Sequence, residues 1–267
     1  MRRTPAKVNL YLAVGEERPS DKRHEIKTIF YPYWAVCDEI SVTPSAAGCG
    51  LTLECEGREI PGDPADNLVC RAVTAYCSEF SIAPNFHIAI KKRIPVGGGM
   101  GGGSSDCAAA LLEINALEQR ADDAALRRLA ASLGADVPFF LNPVPSQATG
   151  IGEILTPLEN FPELPLLAIY PNFESPVAWA YKNWHRPNDA QPPLWPLDEN
   201  TDWTKCLWND LGFAVAEKYP QIQEALELLK KHGALNAIVS GSGSTVFGIF
   251  ASNEARDAAK AALPGSF

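Results

Sequence analysis

The chain has 267 residues, 46% of them hydrophobic and 21% charged, enough to fill one large core or two ordinary ones. A net charge of -9, with Lys91-Lys92-Arg93 as the one short basic run, excludes the broad cationic surface that nucleic acid requires. Seven scattered cysteines form no CxxC pair, which excludes zinc-ribbon and redox-motif spacing and fits reduced thiols in the cytoplasm.

Near the start, Arg2-Arg3 precede an apolar stretch over residues 8–14. Asn9 interrupts it, no small-residue cleavage site follows, and it runs into Glu16-Glu17-Arg18, so a secretory signal is not expected. No apolar run reaches the length of a membrane span, and no membrane partner is expected. Residues 7–12 alternate strictly: Val8, Leu10 and Leu12 fall on one face of a predicted strand, and Lys7, Asn9 and Tyr11 on the other. After a polar turn over 15–25 come β-rich segments at 26–30 and 39–42. Asp66-Asn67-Leu68 opens a helix that runs to Phe80, with Val69, Val73 and Tyr76 at helical spacing. Phe86, Ile88 and Ile90 alternate in a strand that ends at a glycine-rich loop. Ser104-Ser105-Asp106 predicts the cap of a helix through Leu117, and a second helix over 123–133 stops at Gly134.

The second half begins near Gly152 with a strand over 164–170 and a short helix over 176–184. Residues 186–202, rich in Pro and Trp, read as a loop or insertion. A helix over 222–232 stops at Gly233, strands over 236–240 and 245–250 flank Gly241-Ser242-Gly243-Ser244, and a helix over 253–263 follows. The expectation is an α+β chain in two domains, 1–151 and 152–267.

The loop at 95–105, Pro-Val-Gly-Gly-Gly-Met-Gly-Gly-Gly-Ser-Ser, packs six glycines between a strand and a helix. Without a Cβ, glycine reaches positive φ and lets backbone N–H groups close on an anion, and the helix start adds the positive end of its dipole. That dipole contributes only about 0.3–1 kcal/mol at an exposed site, so convergent N–H donors must carry most of the grip on a phosphate. Gly97, Gly99 and Gly102 also satisfy GxGxxG, but a dinucleotide fold needs a new strand soon after the helix, where here a second helix follows. A Walker A loop needs lysine directly before its Ser/Thr, and position 103 is glycine. A mobile glycine turn with no ligand is the remaining reading. Asp136 precedes Val137-Pro138, so local pattern leaves it either capping a helix or serving as a carboxylate base.

Four segments carry a resemblance: Pro5-Ala-Lys-Val-Asn-Leu10, residues 95–105, Gly134-Ala-Asp-Val-Pro138 and Ser240-Gly-Ser-Gly-Ser-Thr-Val-Phe247. Asp66-Asn-Leu-Val69 and Gly150-Ile-Gly-Glu-Ile-Leu155 support it, and the six span nearly the whole chain. Together they resemble the GHMP kinases, which include galactokinase and the homoserine, mevalonate and phosphomevalonate kinases. The resemblance implies an N-terminal domain like ribosomal protein S5 domain 2 and a ferredoxin-like C-terminal domain. It implies transfer of the γ-phosphoryl group of ATP, with Mg²⁺ arriving on the phosphates and no protein metal ligand assigned. The match favours members that act on a cytidine-diphosphate-linked alcohol. A homoserine- or mevalonate-type kinase, or a non-catalytic nucleotide-binding protein of the same fold, is the alternative.

By the same resemblance Asp136 is the catalytic base and Lys7 its cationic partner. Pro95, Gly97, Gly98, Gly99, Gly101, Gly102, Gly103, Ser104 and Ser105 hold the ATP phosphates, and Asn67 borders the adenine. Asn9, His24, Trp179, Ser240, Gly241 and Thr245 face the acceptor, with His24 reading the cytosine ring. The family usually carries an aromatic residue directly before that histidine, and here it is Arg23, whose guanidinium can also stack on a ring. Monomer and homodimer both stay open.

Overall fold

The computed structural model describes residues 1–187, 190–263 and 265–267. In chain order its first elements are β1 (Arg2–Glu17), β2 (His24–Pro44), β3 (Leu51–Gly57), α1 (Leu68–Glu79), β4 (Phe86–Lys92), α2 (Gly102–Glu118), α3 (Asp123–Leu133) and α4 (Val137–Leu141). Then come β5 (Ser146–Thr149), β6 (Ile154–Pro157), β7 (Leu166–Ile169), α5 (Val177–Asn183), α6 (Trp203–Cys206) and β8 (Trp208–Asn209). The last are α7 (Asp210–Lys218), α8 (Pro220–Lys231), β9 (Asn236–Val239), β10 (Val246–Ile249) and α9 (Asn253–Ala262), an α+β composition. Two compact units interleave along the chain. Unit one comprises Met1–Ala6, Pro32–Val96 and Gly101–Pro143; unit two comprises Lys7–Tyr31, Gly97–Met100 and Val144–Phe267.

In unit one, β4 lies between β3, which runs parallel to it, and the C-terminal part of β2, which runs antiparallel. Its alternation turns Phe86, Ile88 and Ile90 inward, as period-two patterning requires. α1 starts where the Asn67 side chain accepts the Val69 N–H at 3.1 Å, and α3 starts where Asp122 accepts the Ala125 N–H at 2.8 Å. Both caps satisfy N–H groups that the helices' first turns leave over. α2 is buried along most of its length, and its small Ala108, Ala109 and Ala110 are almost wholly covered. No serine caps it. The helix begins at Gly102, with Gly101 at the cap position in the left-handed region (φ 70°) and no side-chain cap bond, which corrects the expected Ser104-Ser105-Asp106 start.

In unit two, the N-terminal part of β2 pairs antiparallel with β5 and β5 with β6, while β1 pairs parallel with the short β8. A second, antiparallel sheet has the order β7-β10-β9. Ile222, Ala225 and Leu229 form one buried stripe of α8 and meet Leu12, Val14, Leu167, Val215 and Val246 in a common core. The segment 186–202 contains neither helix nor strand among its described residues; residues 188 and 189 lie outside the described residues. Among the described residues no helix is long and apolar enough to cross a membrane.

The buried Tyr76 and the half-buried Asn115 lock the helices of unit one. Tyr76 donates its hydroxyl to Asn115 Oδ1 at 2.6 Å and accepts the Arg120 N–H at 3.1 Å. Tyr76→Phe leaves both partners short of a bond and is expected to cost about 1–3 kcal/mol, read as a lower urea midpoint at unchanged slope.

Candidate active site

The inner polar row of β1 is built from Lys7 and Asn9, both nearly inaccessible to solvent. Lys7 Nζ donates to Asn9 Oδ1 at 2.6 Å, Asn9 Nδ2 donates to Thr28 Oγ1 at 2.8 Å, and Thr28 Oγ1 donates to the Tyr11 carbonyl at 2.6 Å. The Lys7 ammonium also stands 5.1 Å from the centre of the Phe30 ring. Such a charge stays buried only with hydrogen-bonded partners, and this chain of donors and acceptors fixes where it points.

The Gly97–Met100 stretch of the glycine loop belongs to the same unit and is held by backbone bonds. Lys7 N–H donates to the Met100 carbonyl at 2.9 Å, Thr245 N–H to Gly98 at 3.1 Å and Ser175 N–H to Gly97 at 3.4 Å. Ser240 Oγ donates to the Gly99 carbonyl at 3.0 Å. Gly99 has φ 74°, and a Cβ there would collide with the Ser240 carbonyl oxygen. A Cβ at Gly241 would come within 3.2 Å of the Gly99 carbonyl and 3.7 Å of Lys7 Nζ. The two small-residue loops therefore close on one another beside the buried ammonium. Thr245 is fully buried, and its hydroxyl has no hydrogen-bond partner among the described residues.

Unit one carries the rest of the loop and the start of α2. With no side chain capping this long helix, its first-turn N–H groups fit an anion such as a phosphate. Ser105 is turned inward: its hydroxyl donates to the Pro5 carbonyl at 2.7 Å and lies 2.6 Å from Thr4 Oγ1. The phosphate contact expected of both serine side chains thus narrows to Ser104, which is half-buried. Beneath the same turn lies Lys92, 2.5 Å from Asp38 Oδ2 and 2.6 Å from Asp106 Oδ2. Burial alone would lower the Lys92 pKa, but the two carboxylates hold it above its ordinary value. Burial, then the neighbouring Asp38, push Asp106 well above the usual carboxylate range against the pull of Lys92. A Cβ at Gly102 would sit 3.0 Å from Lys92 Nζ, so the helix start rests directly on this cluster. In sequence Lys92 is the middle of a basic run, and its place as the last inward residue of β4 is the signal for its burial.

Asn67 opens onto a cleft of about 340 Å³ lined by Leu53, Cys55, Arg58, Ile60 and Asp63. Asp136 occupies the cap position of α4 without a side-chain capping bond to it. Asp136 belongs to unit one and Lys7 to unit two.

His24 sits at the first residue of β2, with Nδ1 3.0 Å from the Gly15 carbonyl. A carbonyl only accepts, so Nδ1 carries the proton in the neutral ring and Nε2 is left as an acceptor. The ring stacked on His24 is Tyr181, at 6.1 Å and 16°, and Trp184 meets it edge-on at 6.0 Å and 84°. Trp179 is placed elsewhere: its ring packs on Tyr219, with Lys218 Nζ 3.7 Å from its centre. On a helix, residues two apart point in different directions, so Tyr181 rather than Trp179 is the ring of α5 that lies beside His24. Replacing Gly99 with alanine is expected to cost more than about 2 kcal/mol, from left-handed strain and the collision with Ser240 together, measured by urea denaturation.

Known proteins share this organisation. The GHMP kinases N terminal domain matches residues 67–142, and the GHMP kinases C terminal domain matches residues 204–267. The 4-diphosphocytidyl-2-C-methyl-D-erythritol kinase of Geobacter metallireducens is 39% identical over 97% of this chain and 92% of its own length. That of Solidesulfovibrio magneticus is 38% identical over 98% of this chain and 92% of its own. A crystal structure of 4-(cytidine 5'-diphospho)-2C-methyl-D-erythritol kinase superposes with a TM-score of 0.82 at 34% identity, covering 100% of this chain and 97% of the other. Homoserine kinase from Cytophaga hutchinsonii shares the fold, with a TM-score of 0.65 at 20% identity, covering 99% and 91%. The glycine loop, the uncapped helix behind it and these near-full-length likenesses agree: the chain belongs to the GHMP kinases, in the 4-diphosphocytidyl-2-C-methyl-D-erythritol kinase family.

Proposed function

We propose that the chain transfers the γ-phosphoryl group of ATP to the 2-hydroxyl of 4-diphosphocytidyl-2-C-methyl-D-erythritol, a step of the non-mevalonate isoprenoid pathway. The observation that carries the choice of acceptor is His24, whose acceptor Nε2 suits the amino donor on a cytosine edge. Near-full-length relatives at 34% to 39% identity bearing that enzyme's name support it. A homoserine- or mevalonate-type acceptor has no base for His24 to read.

In this reading the adenine enters the cleft beside Asn67, and the phosphates lie along Gly97, Gly98, Gly99, Gly101, Gly102, Gly103 and Ser104 and on the first turn of α2, with Pro95 setting the loop's entry. Ser105 and Lys92 hold that turn from below. Among the described residues no three His, Cys, Asp or Glu side chains converge on a metal-sized site. Mg²⁺ is assigned to the substrate MgATP, as in other phosphoryl transfers, where it neutralises phosphate charge. Asp136 accepts the proton of the attacking hydroxyl as its oxygen bonds to the γ-phosphorus, and ADP leaves with the electrons of the broken P–O bond. Lys7 stabilises negative charge on the transferred group, oriented by Asn9. His24 reads the base, Tyr181 rather than Trp179 supplies the stacking ring, and Arg23 stands where a second ring would be. Ser240, Gly241 and Thr245 close the acceptor side. We place the enzyme in the cytoplasm, where ATP is supplied and its seven free cysteines stay reduced.

A coupled ADP-release assay tests the reading. Asp136→Asn is expected to lower kcat by about 10²–10⁴-fold with little change in the KM for ATP, and near-normal turnover would remove Asp136 as the base. The uridine analogue of the acceptor presents a carbonyl where cytosine presents an amino group. Its kcat/KM is expected to fall by about 10²-fold or more, and equal turnover of both would remove His24 as the reader.

A further inference from the structure

α5 is too short to hold its own position, and a helix of this length depends on its packing. It carries Tyr181, and its C-terminal cap residue Trp184 already has extended backbone (ψ 145°). The two rings nearest His24 thus sit on a short helix and on the residue where the chain leaves it. Two residues beyond, Arg186 Nε donates to Asp210 Oδ1 at 2.8 Å and Nη2 to Asp210 Oδ2 at 2.7 Å. The same Nη2 reaches the Val14 carbonyl at 3.3 Å, and the guanidinium stands 5.7 Å from the centre of the Trp184 ring.

Asp210 is a firm anchor. Wholly buried at the first residue of α7, it also accepts the Val14 N–H at 2.7 Å and the Trp208 Nε1–H at 2.8 Å. Each carboxylate oxygen receives two donors, so the buried charge is fully satisfied. The Asp210 bond holds the Arg186 pKa above its ordinary value, consistent with a permanent ion pair. His24 is tied to the neighbouring residue of the same strand, through the Gly15 carbonyl. The base-reading imidazole and the aromatic wall beside it are therefore both referenced to Val14–Gly15, one directly and the other through Arg186 and Asp210.

We propose that Arg186 is a positioning residue for the acceptor base: its two-pronged bond to Asp210 sets Trp184 and the end of α5 against His24. It acts through those rings. Geometry of this kind is lost when a bidentate guanidinium is replaced by a point charge, so lysine restores only part of the effect. The proposal rests on the cytidine reading for its kinetic consequence but not for its structural one.

The experiment measures both. In the ADP-release assay, Arg186→Met is expected to raise the KM for 4-diphosphocytidyl-2-C-methyl-D-erythritol by about tenfold, a loss of about 1.4 kcal/mol, with kcat and the KM for ATP within about twofold of wild type. Arg186→Lys is expected to fall between them. In the substrate-free protein, the ring protons of His24, one of four histidines, are expected to lose the ring-current shift that Trp184 and Tyr181 impose. An unchanged acceptor KM overturns the proposal, as does a raised KM with unmoved His24 signals, which would make Arg186 a direct ligand. A parallel rise in the KM for ATP also overturns it, because that marks a general loss of structure. If the wild-type protein does not turn over this acceptor, the cytidine reading fails, and the His24 signals alone then decide whether Arg186 positions the rings.

Discussion

Two stretches of backbone pass so closely at Gly99 and Ser240 that no side chain fits between them, and much of unit two's site follows from that approach. A glycine-rich loop is costly to order, because glycine loses more freedom on folding than any other residue. Here the ordering is done before any ligand arrives: the loop's carbonyls at Gly97, Gly98 and Met100 each take an N–H from a different segment of unit two. One of those segments is the strand that carries Lys7, so the peptide that fixes the loop also fixes the ammonium. Placing positive charge and loop on a shared backbone removes a reorganisation that the reaction would otherwise need.

Unit one solves a different problem. The start of α2 must stay open to an anion, so it cannot be stabilised by the usual serine or aspartate cap. Support comes from below: Ser105 is bonded to Pro5 and Thr4, and Lys92 is clamped between two aspartates. Asp38 turns its other oxygen to the Arg93 and Ile94 N–H groups, at 2.5 and 2.8 Å, and so tethers the chain just before the loop. A buried pair like this gains little net stability over an apolar one, but breaking it leaves an uncompensated charge. Its value here is that it holds a strand end and a helix start at fixed distance.

Where local chemistry decides, the sequence is readable. Asn67 marks the start of α1 by side-chain capping, and α3 ends at Gly134, where the chain turns extended; both positions are legible in the sequence. The glycine loop was legible as an anion site because six glycines between a strand and a helix have few other uses. The sequence shows two β-rich segments, at 26–30 and 39–42, yet the chain runs extended as one strand from His24 to Pro44. β3 alternates Leu51, Leu53 and Cys55 with polar residues but lies mostly exposed, and the short β5, β6 and β8 are defined by partners distant in sequence. Ser105 and Trp179 illustrate a further limit. A motif supplies residue types, but whether a hydroxyl points at a ligand or at Pro5, and which ring of α5 meets His24, depends on packing that no local window contains.

The interleaving of the units has a consequence for how the protein is made. β1 belongs mostly to unit two, yet its partner strand β8 pairs Trp208 with Tyr11, roughly two hundred residues later in the chain. At about 5–20 residues per second, the ribosome takes on the order of 10–40 s to deliver that partner. During this interval β1 has β2 beside it, but the edge that β8 will cover and the core partners of Leu12 and Val14 on α7 and α8 are still to come. The strand that will carry the buried lysine is thus synthesised long before the partner that completes its sheet edge. That edge must be sheltered in the meantime by chaperones or by provisional contacts within the nascent chain.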